Sequence, residues 1–161
     1  MRQKTIATSF RLEGIGLHTG EFVKLECKPA EVGKGIIFKR IDLENAPEIP
    51  VSISNVDSTY RSTTIKKGDI FVHTIEHLLS ALRGFNIDNV LVELSGPEIP
   101  ILDGSAQAFV AAITEAGVVD LDDDQEVIEL QKTFNFIDPK SGSEYTYLPI
   151  GPDESSEITS I

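Results

Sequence analysis

The sequence predicts an α+β fold, a two-layer sandwich in which helices pack on one face of a mostly antiparallel sheet. Two kinds of periodicity and their order support this. Short runs alternate apolar and polar residues at period two, two later runs carry apolar residues at helical spacing, and strands precede helices.

Val23, Leu25 and Cys27 alternate with Lys24, Glu26 and Lys28, the pattern of a strand with one buried face. Gly35-Ile36-Ile37-Phe38-Lys39-Arg40 reads as the next strand, entered through a turn at Gly33 and Gly35. Pro47 and Pro50 bracket an extended segment leading into Val51 and Ile53, and residues 62–65 read as a further strand. Lys66-Lys67-Gly68-Asp69 then turns the chain into Ile70-Phe71-Val72. Ile75, Leu78, Leu79 and Leu82 fall at i, i+3, i+4 and i+7, so a helix follows. Thr74 is its expected N-cap and Gly84 its expected left-handed end. Residues 89–94 form a strand closed by Ser95-Gly96-Pro97. A second helix starts at Ser105, buries Phe109, Val110 and Ile113, and ends before Gly117.

Asp120, Asp122, Asp123, Asp124 and Glu126 form an acidic run that reads as a solvated linker over residues 120–126. It separates an N-terminal α+β domain, residues 1–119, from the incomplete start of a second similar domain, residues 127–161. Three strands are expected there: Val127-Ile128-Glu129-Leu130, residues 144–148, and residues 157–161, the last ending in mid-pattern.

At 161 residues the chain is long enough to bury a core without disulfides, and its single cysteine, Cys27, has no internal partner. A formal net charge of -12 argues against nucleic acid as a partner, because phosphate backbones are bound through a basic surface. A small anionic substrate needs only a few local cations and stays open. No apolar stretch follows Met1-Arg2-Gln3-Lys4, and no run approaches the roughly 20 residues of a membrane span. A cytoplasmic chain with no transmembrane segment is expected.

His73-Thr74-Ile75-Glu76-His77 is the stretch richest in chemistry. On a continuous helix His73 and His77 share the face opposite the leucine stripe, with Glu76 on its flank. Imidazole nitrogens ligate zinc, and a neighbouring carboxylate can take a proton from metal-bound water. Two readings are open on these five residues alone. One is the H-x-x-E-H pattern of inverted zinc proteases. The other is an ordinary polar helix start, where a glutamate also suits the positive dipole end.

Four stretches occur in order: Gly14-Ile15-Gly16-Leu17-His18-Thr19-Gly20; Thr74-Ile75-Glu76-His77-Leu78-Leu79-Ser80-Ala81-Leu82; Ile87-Asp88-Asn89; and Pro97-Glu98-Ile99-Pro100-Ile101-Leu102-Asp103-Gly104-Ser105-Ala106. Together they resemble the UDP-3-O-acyl-N-acetylglucosamine deacetylases, zinc enzymes of lipid A biosynthesis, closely over residues 3–118 and more loosely after 127. The resemblance implies a Zn2+ cofactor and UDP-3-O-acyl-N-acetylglucosamine as the bound partner. It makes His77 the first zinc ligand and Glu76 the general base that activates the metal-bound water. It places His18 near the substrate, and Thr59-Tyr60-Arg61-Ser62-Thr63 in a loop edging the site. Tyr60 and Arg61 are candidate substrate contacts there, with Arg61 a cation for phosphates, although a plain turn-and-strand role is open for both. Asp103 either supports the site or is a turn residue before a helix cap.

Two departures from the family pattern stand out. The family carries other residue types at His73, so the resemblance does not make it a ligand, and a partly exposed polar residue is expected. The family also completes its zinc site with a second histidine and an aspartate spaced i, i+4, and uses a further histidine as general acid. The sequence has only His18, His73 and His77, so it reads as the N-terminal part of a zinc-dependent amidohydrolase, inactive alone. The alternative from another class is a non-catalytic binding or scaffold domain that keeps the fold without the rest of the zinc site.

Overall fold

Alternating side chains give the central strands one apolar face, and a core is built by packing those faces under two helices. The structure, a computed structural model, describes residues 1–127 and 132–149. Met1–Gln125 and Glu126–Ile161 form two compact units.

Within the first unit, β1 (Arg2–Ile6), β2 (Phe10–Ile15), β3 (Phe22–Pro29), β4 (Ile36–Arg40) and β5 (Glu48–Pro50) precede three short strands, β6 (Val56–Ser58), β7 (Thr64–Lys67) and β8 (Ile70–Val72). Helix α1 (Glu76–Gly84), strand β9 (Val90–Leu94), helix α2 (Gln107–Ala116) and strand β10 (Val118–Asp124) complete it. The main sheet has the order β2-β3-β9-β4-β5. Its pairs are antiparallel except β4 with β9, which run parallel with Phe38 opposite Val92. The smaller sheet, β6-β7-β8, is antiparallel throughout.

Val23, Leu25 and Cys27 of β3, Phe38 of β4, and Val90, Val92 and Leu94 of β9 turn to one face and are buried. Leu78, Ala81 and Leu82 of α1 and Phe109 and Ile113 of α2 join them in one core cluster. The opposite face is polar. Lys28 lies 2.7 Å from Glu93 and 3.8 Å from Glu26, and Arg11 lies 3.1 Å from Glu26. Ion pairs at a solvated face contribute little individually, so burial on the helix side dominates. Burial also pushes the Cys27 thiol's pKa up, which keeps it a neutral apolar filler.

The expected α+β sandwich is present, with several local differences. Helix α1 begins at Glu76, and its N-cap position belongs to Ile75, not to Thr74, with no side-chain cap bond. Gly84 is the helix's last residue; Asn86, at φ +54°, takes the left-handed turn instead. The second helix begins at Gln107, after a turn in which Asp103 accepts from the Ser105 N–H at 3.0 Å and its hydroxyl at 2.9 Å. Gly117 ends it at φ +74°, and Val110 is exposed. Ile53 opens a single 3-10 turn (Ile53–Asn55) rather than extending a strand.

The acidic run is not a linker over residues 120–124. It forms β10, paired antiparallel with β1 from Ile6↔Val118 to Arg2↔Asp124. The N-terminal strand brings the complementary charges: Lys4 lies 3.9 Å from Asp120 and the terminal amine 3.9 Å from Asp124. Backbone pairing holds the strand, and these cations relieve the repulsion that would otherwise favour a solvated coil. Gln125 adds a backbone bond to the Met1 carbonyl at 2.8 Å and side-chain bonds to Asp88 at 3.0 and 2.9 Å.

In the second unit, β11 (Phe134–Ile137) and β12 (Glu144–Tyr147) form an antiparallel hairpin with all eight residues exposed. Strand β12 covers most of the stretch expected over 144–148. Residues 128–130 of the strand expected from Val127, and all of that expected over 157–161, lie outside the described residues. Among the described residues the second unit offers this hairpin alone, and two strands by themselves are marginally stable at best. Limited proteolysis should therefore leave a resistant product that retains β10 and ends near Gln125. A product ending before Asp120, read by mass spectrometry, would restore the linker reading.

Candidate active site

Three segments meet at the end of the main sheet. The first is the hairpin turn between β2 and β3, where Gly16 N–H bonds the Glu21 carbonyl at 2.9 Å and Gly20 N–H bonds the Gly16 carbonyl at 3.0 Å. His18 sits exposed at its tip. The second is the entry to α1. The third, residues 97–101, stitches the other two together by backbone bonds. His73 N–H reaches the Pro97 carbonyl at 2.8 Å, Ile99 N–H the His73 carbonyl at 3.2 Å, and Ile101 N–H the Ile15 carbonyl at 3.0 Å.

Those bonds determine where each histidine goes. His73 is held in a parallel bridge with Glu98, and Thr74 has φ +61°. A left-handed residue interrupts any helix, so His73 and His77 are not one helical turn apart on a common face. The H-x-x-E-H geometry is thus absent, because the sheet claims His73 before α1 begins. His73 is half-buried. Its Nδ1 shares a hydrogen bond with the Thr64 hydroxyl at 2.7 Å, and its ring lies 4.7 Å from that of Phe71. Burial lowers its pKa; Glu98 opposes that, while His18 and Arg40 add to it.

Glu76 and His77 open α1 as consecutive half-buried residues. The Glu76 carboxylate accepts from the Thr63 N–H at 2.9 Å, and the Ile75 N–H returns a bond to the Thr63 carbonyl at 3.3 Å. The loop carrying Tyr60 and Arg61 is therefore tied to the helix entry. Both residues are exposed. Arg61 has φ +60°, and its guanidinium lies 5.3 Å from the centroid of the Tyr60 ring.

A groove of about 450 Å³ brings His18, Tyr60 and Arg61 together with His73, Thr64, Thr19, Asp57, Ser58 and Ser62. Glu76 and His77 are not among its lining residues; Thr63 connects them to it. Asp103 is not there either. Its carboxylate is held below the usual range by the Ser105 N–H and hydroxyl, so its visible work is the turn before α2.

Two residues of the site escaped the sequence reading. Arg40 is buried, bonds both Asp42 carboxylate oxygens at 2.8 and 2.7 Å, and donates to the Phe71 carbonyl at 2.9 Å, which fixes β8 just before His73. Glu98 is fully buried. It accepts from the His18 N–H at 3.1 Å, the Thr19 N–H and hydroxyl each at 2.8 Å, and the Thr74 hydroxyl at 2.7 Å. Burial acts to raise its pKa, but bonds from Thr74, Thr19 and His18 prevail and hold the carboxyl below the usual carboxylate range. No pattern in the sequence marks such a glutamate, since its donors lie 24 to 80 positions away.

Among the described residues no three His, Cys, Asp or Glu side chains converge to hold a metal ion. The donor set at α1 is one imidazole beside one carboxylate. That suits a contribution to a metal centre but not a whole one.

An α+β domain with a carboxylate–imidazole pair opening a helix, next to a groove bearing histidines and an arginine, is the class that fold and site define. The chain belongs to the UDP-3-O-acyl N-acetylglycosamine deacetylase family, which it matches over residues 3–159. It is 54% identical over 116 residues to the UDP-3-O-acyl-N-acetylglucosamine deacetylase of Citrifermentans bemidjiense, covering 72% of this chain and 38% of that protein. The deacetylase of Pseudomonas entomophila is 45% identical over 149 residues, covering 92% and 48%. A bifunctional enzyme LpxC/FabZ of Chlorobaculum tepidum is 43% identical over 150 residues, covering 93% and 32%. The chain thus spans about a third to a half of the length of these relatives. No described helix is long and apolar enough to cross a membrane.

Proposed function

We propose that this chain supplies the first half of a zinc-dependent centre that removes the N-acetyl group from UDP-3-O-acyl-N-acetylglucosamine, in the cytoplasm. The observation that carries the proposal is the Glu76–His77 pair, half-buried at the opening of α1, in a chain of the deacetylase family. Zinc, when bound, supplies a Lewis acid and lowers the pKa of its water. His77 would hold the metal through one ring nitrogen. The Glu76 carboxylate, steadied by the Thr63 N–H, takes the proton from the attacking water and so relieves the positive charge that would otherwise build on that oxygen as it adds to the amide carbonyl. His18 and Arg61, both on the groove, present donors to the sugar nucleotide; a guanidinium suits its phosphates. The remaining zinc donors and the general acid would come from the rest of the second domain expected from residue 127 onward, beyond residue 161.

With three histidines in the sequence and His73 diverted to Thr64, the 161-residue chain alone should bind zinc weakly and show no deacetylation. Calorimetric titration of the chelator-stripped chain measures the first, and acetate release from the sugar nucleotide the second. Tight one-to-one binding abolished by His73→Ala would overturn the ligand assignment. A longer chain carrying the second domain should bind one zinc and turn over. If that chain binds no zinc and releases no acetate, a scaffold role replaces the enzymatic one.

A further inference from the structure

We infer that Glu98 is a positioning residue: its buried carboxylate couples the His18 turn to the entry of the Glu76–His77 helix, so the two segments move as one body. The inference rests on the functional reading above only for the purpose the coupling serves.

The contacts themselves are unusual in kind. A carboxylate with no exposed surface would ordinarily face a cation, yet no salt bridge to Glu98 exists among the described residues. It is met instead only by N–H and O–H donors. Oε1 accepts from the His18 N–H at 3.1 Å and the Thr74 hydroxyl at 2.7 Å. Oε2 accepts from the His18 N–H at 3.1 Å, the Thr19 N–H at 2.8 Å and the Thr19 hydroxyl at 2.8 Å. The His18 and Thr19 amides lie beyond the last β2–β3 rung, Ile15↔Phe22, and among the described residues Glu98 is their acceptor. Bonds of this charge-assisted kind are about twice as strong as neutral ones.

The surroundings leave little freedom for any other arrangement. A Cβ at Gly16 would collide with the Glu98 carboxylate and the Thr19 hydroxyl, so the turn closes on the carboxylate only with glycine there. On the other side, Thr74 holds φ +61°, a conformation that is costly for a β-branched residue. Its hydroxyl bond to Oε1 offsets that cost and sets the angle at which α1 departs. Residues 97–101 already join the two segments by main-chain bonds. Those bonds hold Ile15 and His73, but not the turn tip or Thr74. The carboxylate adds control of the two places nearest His18 and Glu76.

Glu98→Gln tests this on the 161-residue chain by NMR, with no need of activity. Glutamine keeps the volume, but its NH2 must face a donor: set toward Thr74, whose hydroxyl can reverse and accept, it abandons half of the His18 bond. The His18 and Thr19 amides should exchange about tenfold or more faster than in the parent, relative to Leu25 and Val92 as references, and the ring resonances of both His18 and His77 should shift. Uniform acceleration at all four amides would reduce Glu98 to a general stability role and overturn the inference. Should Glu98→Gln not fold, Thr74→Val removes one donor and keeps the carboxylate. It should still change the His18 and Thr19 amides across the bridge, and unchanged amides would overturn the coupling. Because none of these readouts uses zinc or substrate, a failure of the deacetylase reading would leave them intact.

Discussion

Glu76→Ala, in a chain that carries the whole zinc site, is expected to lower kcat by about 10²- to 10⁴-fold, the usual contribution of a positioned general base. Zinc content should stay at one per chain, because a base shapes the transition state without ligating the metal. The structure adds a reason to expect little change in KM: Glu76 is outside the lining of the groove that holds His18 and Arg61. Its nearest partner is the Thr63 N–H at 2.9 Å, and water can replace the carboxylate there at modest cost. Glu76→Gln should fall almost as far, since an amide fills the space and bonds neighbours but takes no proton. His77→Ala should behave differently, losing zinc and turnover together. Loss of zinc from Glu76→Ala, read by metal analysis, would reverse the two roles.

The fold was most legible where side-chain periodicity and burial coincide. Val23, Leu25 and Cys27, and the stripe from Leu78 to Leu82, face the core as their spacing requires. The first two strands were missed for different physical reasons. In β2, Phe10, Leu12 and Gly14 alternate with exposed residues, but glycine hides the third inward position. A Cβ there would lie 3.3 Å from both Leu102 and Pro100, so a larger residue would need those side chains to give way. In β1 only Ile6 is a buried hydrophobic residue, and the strand is justified by its partner. That partner, β10, looked like a linker because charge density was weighed without the cations that a remote strand would bring.

The local structure of the histidine-bearing stretch was legible only in part. Glu76 and His77 open a helix, as read. His73 was placed on the same helix because a periodic stripe says where a helix can extend, not where a sheet edge has already claimed the chain. The bond from His73 N–H to the Pro97 carbonyl at 2.8 Å decides that contest, and nothing near His73 in the sequence announces it. Arg40 and Glu98 show the same limit. Each is a charged residue in a short apolar stretch, and each is buried because distant polar groups converge on it.

Phe38→Ala should be the most damaging single core substitution, costing about 3–5 kcal/mol. Its partners explain why. Strand β4 is bonded on both sides, with Phe38 opposite Val92 on β9 and Ile49 on β5, and all three side chains are fully buried. The backbone cannot close around the vacated ring without breaking one of those ladders, so most of the cavity remains. Domain stability is generally about 5–15 kcal/mol, so the loss is a large fraction of the whole. The midpoint of thermal unfolding should fall by roughly 10–20 °C, followed by circular dichroism on the 161-residue chain. Ile49→Val, which removes one methylene from the same cluster, should cost only about 0.5–1.5 kcal/mol. A Phe38→Ala loss no greater than that control would mean the sheet relaxes around β4, against the two-sided pairing on which this expectation rests.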